Sequence, residues 1–386
     1  MKNILVVTGT RAEYGILKGL LEKFKESPDV NLKIIATAMH LEERYGNTYH
    51  NIESDGFEID LKIPMNLSDT SDLTILRGMS ILQVKLAEYL SKNNFDLVII
   101  LGDRYEMLAV ANCAVIMKIP ICHLHGGEIT LGNYDEFIRH SITKMSHLHL
   151  ASTAEYRRRI LQLGESEDRV LNVGALGVEN VVNNLKDMEI EDLNFLNLKQ
   201  KYGVVLFHPE TLKAGSSSEE QINILLSALE KQRMQFIFIG SNSDSGSDTI
   251  MEKIYDYVQN DPFDSKVVAS FDTHSYHTLV HNSQFLIGNS SSGIIEVPSL
   301  KVPTINLGSR QEGRIRGESV IDVPVEISYI DNAIQQAMSL DFQKKIVESK
   351  NPYYQENAIQ QSFDFIMKQL NKNIPIEKEF VDRSFI

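Results

Sequence analysis

The chain has 386 residues, more than twice the ~150 residues of a typical domain, so two domains are expected rather than one small module. Apolar residues make up 42% and charged residues 23%, which leaves ample material for a core and excludes wholesale disorder. The formal net charge of −14 repels phosphate backbones and anionic lipid heads, which argues against nucleic acid or a membrane as partner.

At the start, Met1-Lys2-Asn3 leads directly into Ile4-Leu5-Val6-Val7-Thr8. This reads as a strand and is too short for a secretory apolar region. The densest apolar run, residues 97–101, falls well below the ~18 residues that span a bilayer. Cys113 and Cys122 both sit in apolar surroundings. They suit reduced thiols in a cytoplasmic protein and provide neither a disulfide framework nor a zinc ligand set.

The first strand, residues 4–7, runs into Gly9-Thr10-Arg11-Ala12-Glu13-Tyr14-Gly15 and then a helical stretch, residues 16–25. Arg11 is thereby placed at a helix N-terminus, where free N–H groups and the dipole favour an anion. The pattern is neither G-x-G-x-x-G nor the phosphate loop, so it signals neither a dinucleotide nor ATP. An ordinary strand-to-helix turn carrying a surface Arg is the plainer alternative.

Residues 32–37 and 97–101 read as the next strands, the latter ending in Gly102-Asp103-Arg104. A carboxylate and a guanidinium at the tip of so apolar a strand either pair with each other or serve a site. Residues 120–124 lead into His125-Gly126-Gly127-Glu128, and strand alternation sends His123 and His125 to the same side. With Glu128 they could ligate a metal, but no fourth ligand is evident and a metal is disfavoured. In Asn133-Tyr134-Asp135-Glu136-Phe137-Ile138-Arg139-His140-Ser141, Asp135 lies near a helix start, as a cap or a proton carrier. Arg139, one turn on, is spaced to hold Asp135 ionised through an i,i+4 pair. Residues 149–151 close this first series of strands.

A second series occupies residues 203–208, 235–240, 267–271, 285–288 and 304–307. Strands alternating with helix-length segments indicate parallel sheets wrapped by helices. The expected fold is α/β, with two Rossmann-like, doubly wound domains facing across a cleft. Residues 1–178 form the first domain, 179–365 the second, and 366–386 a surface tail. Ligands of such sheets bind outside the carboxyl ends of the strands, so the loops there are the place to look.

Two second-half loops stand out. Phe207-His208-Pro209-Glu210 offers His208 as a diphosphate donor, a proton shuttle or a structural His. Asn289-Ser290-Ser291-Ser292-Gly293 suits a diphosphate, with Glu296 in reach of a ribose diol and Arg310 downstream. The Gly240 to Gly246 loop carries Asn242, a weaker candidate.

Taken in order, Gly9-Thr10-Arg11-Ala12-Glu13-Tyr14, Tyr45-Gly46-Asn47-Thr48, Gly102-Asp103-Arg104, His125-Gly126-Gly127-Glu128, Ile138-Arg139-His140-Ser141, Phe207-His208-Pro209, Gly288-Asn289-Ser290-Ser291 and Gly308-Ser309-Arg310-Gln311 resemble the hydrolysing UDP-N-acetylglucosamine 2-epimerases. The resemblance spans residues 1 to about 325. It implies a glycosyltransferase-B-like pair of domains, a homodimer or higher oligomer, and no metal or redox cofactor. It implies a UDP-sugar substrate, with UDP held by Arg11, Arg104, His208, Asn242, Ser290, Ser291, Glu296 and Arg310. Asp103 and Asp135 match family carboxylates implicated in the chemistry. His125 stands where many relatives carry Glu, and Ile16 where they often carry Lys. Proton transfer is therefore expected from Asp103, Asp135 and His125, with Glu128 beside His125 and Arg139 orienting Asp135. The implied reaction converts UDP-N-acetylglucosamine and water to N-acetylmannosamine and UDP for sialic acid synthesis, by anti elimination to 2-acetamidoglucal and then hydration. The alternatives are a hydrolysing epimerase of a UDP-2,4-diacetamido-trideoxy sugar, a non-hydrolysing epimerase, or a UDP-sugar sensor without turnover.

Overall fold

The computed structural model describes residues 1–131, 133–210, 217–240 and 243–383. Among them, seven strands form one all-parallel sheet: β1 (Lys2–Thr8), β2 (Val30–Thr37), β3 (Leu61–Ile63), β4 (Leu97–Leu101), β5 (Ile121–Leu124), β6 (Leu148–Ala151) and β7 (Val170–Asn172). A second parallel sheet holds β8 (Tyr202–Leu206), β9 (Gln235–Ile239), β10 (Lys266–Val268), β11 (Leu286–Gly288), β12 (Thr304–Leu307) and β13 (Val320–Val323). The spatial orders are β3-β2-β1-β4-β5-β6-β7 and β10-β9-β8-β11-β12-β13. Each is the doubly wound order, and it reverses direction between β1 and β4 in the first sheet and between β8 and β11 in the second. The expected α/β architecture of two Rossmann-like domains is what the chain adopts.

Period-two alternation explains why these segments are strands. In β1, Ile4 and Val6 join the core on one face, whereas Leu5 and Val7 join the core on the other. In β9, Phe236 and Phe238 face one core and Ile237 and Ile239 the opposite one. Both faces are covered by helices, so the strands are apolar throughout. Fully burying one such aliphatic side chain contributes ~1.5–3 kcal/mol relative to leaving it exposed.

The first sheet's cores are completed by the Arg11–Glu26 helix on one face and the Asp72–Leu90 and Tyr105–Ile116 helices on the other. The Arg11–Glu26 helix begins with a capping box, in which Thr10 Oγ1 accepts from Glu13 N–H at 3.2 Å and Glu13 accepts from Thr10 N–H at 3.2 Å. At its far end the chain crosses back. The Ala358–Asn371 helix packs Ile359, Ile366 and Leu370 into the same cluster as Leu17, Leu20 and Phe24. Leu176–Asn184 follows the first sheet and leads toward the second, with Leu176 in a first-sheet core and Val181 in a second-sheet core.

Gly288 ends β11 at φ +147, where a Cβ would overlap the Leu206 carbonyl. Only glycine lets β11 close on β8 there and release the chain into the Asn289–Ser292 turn.

Candidate active site

Both reversal points face one cleft of about 270 Å³, lined from β1, β4 and β5 on one side and from β8, β9 and β11 on the other. That is where open α/β sheets bind ligands. Arg11, Asp103, Arg104, His125, Glu128, Asp135, His208, Ser290, Ser291, Glu296 and Arg310 all line it. Arg139 lies behind the wall, and Asn242 falls outside the described residues.

The β1 turn places Arg11 as the first residue of its helix, with its guanidinium 6.0 Å from the Tyr276 ring centroid. Burial lowers its pKa, while Tyr276, Glu296 and Asp272 oppose that shift. Behind it, His40 joins Thr8 Oγ1 at 3.1 Å to Thr48 Oγ1 at 2.9 Å, which fixes the turn that brings Tyr45 and Thr48 to the cleft. At the end of β4, Arg104 does not pair with its neighbour Asp103. Its Nε donates to Glu106 at 2.6 Å, its Nη2 to Ser243 Oγ at 2.7 Å, and its Nη1 lies 3.5 Å from Asp244.

Arg139 is fully buried and pairs with Asp103 and, at 2.8 Å, with Glu136. It also donates to Thr130 Oγ1 at 2.7 Å and to the Glu128 carbonyl at 3.1 Å. This corrects the i,i+4 pairing expected with Asp135. As the first residue of the Asp135–Met145 helix, Asp135 accepts instead from Asn133 Nδ2 at 2.8 Å and lies 4.0 Å from Arg310.

The two cleft carboxyls are thereby driven apart. Burial alone would raise the pKa of Asp103, but Arg139 and Arg314 outweigh it and hold the group below the usual range. Asp135 is pushed well above that range by burial, by Asp103 and by Asp244, with Arg310 and Arg139 opposing. Two carboxyls on the same cleft whose surroundings push their pKa values in opposite directions mark a base and an acid assignment.

His123 and His125 do not share a side as strand alternation suggested. His123 lies buried with Nε2 2.7 Å from the Gly102 carbonyl and Nδ1 3.2 Å from Thr143 Oγ1, and burial lowers its pKa to about 3. His125 falls beyond β5 with φ +63, which turns its ring to the cleft. Its Nδ1 lies 3.0 Å from Glu128 Oε1, which also accepts from Ser152 Oγ at 2.7 Å. Its Nε2 has no hydrogen-bond partner among the described residues. Burial would raise the Glu128 pKa, but Arg314, His125 and Arg139 hold the group well below the usual range. A neutral imidazole so placed carries its proton on Nδ1, toward that carboxylate, and turns Nε2 to the cleft.

On the second sheet, β8 and β11 are tied together by a reciprocal pair: His208 N–H donates to Asn289 Oδ1 at 2.7 Å, and Asn289 Nδ2 donates to the His208 carbonyl at 2.8 Å. Burial, then Arg310, lowers the His208 pKa to about 3, so the ring is neutral. Ser290 caps the short Ser291–Ile295 helix. Glu296 lies 3.1 Å from His277 Nε2. Arg310 is seated by Glu210, which accepts its N–H at 2.9 Å, and it donates to the Asn289 carbonyl at 3.2 Å and lies 3.4 Å from Asp244.

Sequence reasoning missed three groups at this cleft. Arg314, in Glu312-Gly313-Arg314-Ile315-Arg316, carries no motif beyond a glycine before it. His277 sits on a helix face that reads as ordinary core. Glu13, which the sequence shows only inside the first turn, belongs to the helix cap, and burial and then Glu106 push its pKa up to about 8 at the cleft wall.

The family model described as UDP-N-acetylglucosamine 2-epimerase matches residues 22–367. Polysialic acid biosynthesis protein P7 of Escherichia coli is 46% identical, over 99% of this chain and 98% of that one. GDP/UDP-N,N'-diacetylbacillosamine 2-epimerase (hydrolyzing) of Campylobacter jejuni is 36% identical, over 99% of each. In fold, the chain resembles the UDP-GlcNAc 2-epimerase of Neisseria meningitidis solved with UDP-GlcNAc bound, at a TM-score of 0.78 and 18% identity, over 95% of this chain and 100% of that one.

Proposed function

The chain belongs to the UDP-N-acetylglucosamine 2-epimerase family, and on that premise we propose that it is a hydrolysing member, converting UDP-N-acetylglucosamine and water to N-acetylmannosamine and UDP. The observation that carries the chemistry is Asp103 and Asp135 on one cleft, the first paired with Arg139 and held low, the second buried beside Asp244 and pushed up. The hydrolysing mode is supported by the relative whose name states it, and the sialic acid route by the polysialic acid relative.

The C2 proton of the sugar lies next to an acetal carbon and is barely acidic until the C1–O bond stretches. Arg11, Arg104 and Arg310, with Ser290 and Ser291, take the diphosphate, and Glu296 the ribose. The cations stabilise the charge that builds on the leaving group, and one such preorganised donor contributes ~3 kcal/mol. As the bond loosens, C1 gains positive character, and a cleft base removes the C2 proton while the bonding pair leaves with UDP. Asp103 and the Nε2 of His125 are the bases available. Water then adds its oxygen to C1 and gives up a proton, while Asp135 delivers one to C2 on the face that yields the manno product.

The second reading, a UDP-diacetamido sugar, is favoured by the Campylobacter relative's name. Separate incubations with UDP-N-acetylglucosamine and UDP-N,N'-diacetylbacillosamine decide between them. Release of UDP and free N-acetylmannosamine from the first supports the proposal; release of UDP from the second alone replaces it with the alternative.

A further inference from the structure

After Gly308 the chain crosses from the second domain to the loop that follows β5. Leu131 N–H donates to the Glu312 carbonyl at 3.2 Å, Ile315 N–H to the Tyr156 hydroxyl at 2.9 Å, and the Tyr353 hydroxyl to the Ile315 carbonyl at 3.0 Å. Gly313 lies at φ +91, and a Cβ there would overlap Cγ2 of Ile129. Glycine is what lets the two backbones approach so closely.

The next side chain is Arg314, 8% exposed and at the cleft wall. Its Nη2 lies 3.0 Å from Glu128 Oε2. Its Nε and Nη1 are buried with no hydrogen-bond partner among the described residues. A guanidinium placed only to stabilise the fold would be expected to satisfy these donors. The two oxygens of Glu128 are thus divided: Oε2 meets Arg314, whereas Oε1 meets Ser152 and His125.

We propose that Arg314 is a positioning residue, supplied by the second domain to a first-domain pair. By holding Oε2 of Glu128 it fixes the carboxylate that orients His125 and keeps Nε2 of that imidazole free as a proton acceptor. The role deepens the epimerase reading above and rests on it for its kinetic consequence. The charged and titratable groups facing Glu128 are Arg314, His125, Arg139 from the Asp135–Met145 helix, Asp103 from the end of β4, Tyr156 and Tyr353. Arg314 is the cation among them that comes from the second sheet's side. Its removal therefore takes away a contribution that Arg139 alone does not replace.

The test uses full-length Arg314→Ala, Arg314→Lys and Gly313→Ala. The first readout needs no turnover: ¹⁵N NMR of the imidazoles, with His125 assigned by difference against His125→Asn. The wild type is expected to hold the Nδ1–H tautomer, and Arg314→Ala to lose it. In kinetics, Arg314→Ala is expected to lower kcat by about 100-fold, the cost of a displaced catalytic group. UDP affinity stays unchanged, the acid limb of the pH profile moves to higher pH, and added guanidinium restores part of the rate. Arg314→Lys falls between, and Gly313→Ala lowers kcat without removing a charge. An unchanged His125 tautomer in Arg314→Ala would overturn the proposal. So would a rate loss that tracks melting temperature and UDP affinity together and does not respond to guanidinium. The wild-type rate judges the epimerase reading separately, because the tautomer is read without substrate.

Discussion

Arg139 and Asp103 form an ion pair buried between the end of β4 and the Asp135–Met145 helix, and Arg139 has no solvent exposure at all. The same guanidinium holds Glu136, so one cation serves two acids. Removing one partner of a buried pair leaves an uncompensated charge, a loss of ~3–5 kcal/mol. Arg139→Met is expected to lower the urea midpoint accordingly and Arg139→Lys to recover part of it. Equal midpoints for the wild type and Arg139→Met would show that the pair contributes nothing.

Asp135→Asn keeps the size of a group whose proton is held more tightly than in an ordinary carboxyl, and removes that proton. Turnover should fall by at least ~100-fold, the lower end of a general acid contribution, while UDP binding persists. Asp103→Asn should lose as much by removing a base. Single-turnover rates and calorimetric UDP titrations check both. A near-normal rate for either variant takes that residue out of the proton transfers.

Arg310 points a buried guanidinium at the cleft between Asp135 and Asp244. A charged hydrogen bond contributes ~1.5–3 kcal/mol, so Arg310→Met should weaken UDP binding roughly 10- to 150-fold. Calorimetry at two salt concentrations reads this directly. An unchanged Kd would place the diphosphate elsewhere.

Glu13 gives a pH signature. Burial and then Glu106 raise its pKa from 4.5 to about 8, so the folded chain binds a proton that the unfolded chain has released. Its contribution to stability is fully present below about pH 4.5 and is lost as pH rises through about 8. Glu13→Gln lacks this titration. The melting temperature of the wild type should therefore fall more steeply than that of Glu13→Gln between about pH 5 and pH 9. Parallel curves would mean that Glu13 is ionised throughout.

How much of this was legible beforehand depends on the element. Residues 97–101 read as a strand with the bounds that β4 has, because a central parallel strand is apolar on both faces. The edge strands β3, β7 and β13, three or four residues long and partly exposed, leave no such run in the sequence. Arg11, Asp103, Ser290 and Arg310 could be found because strand-end turns of a doubly wound sheet converge by topology alone. Arg314 could not, because its guanidinium reaches Glu128 only where Gly313 lets the second domain's backbone approach Ile129. The Arg139 pairing departs from the sequence pattern for a related reason: helical spacing places Arg139 near Asp135, but the buried side chain turns inward to Asp103.

In the proposed reaction the C2 proton leaves the sugar as UDP departs. Incubation with UDP-N-acetylglucosamine in deuterated water, followed by proton NMR, tests it most directly. Free UDP and N-acetylmannosamine carrying deuterium at C2 are the expected products. N-acetylmannosamine that retains its original C2 proton, or UDP-N-acetylglucosamine left intact and unexchanged, would contradict it.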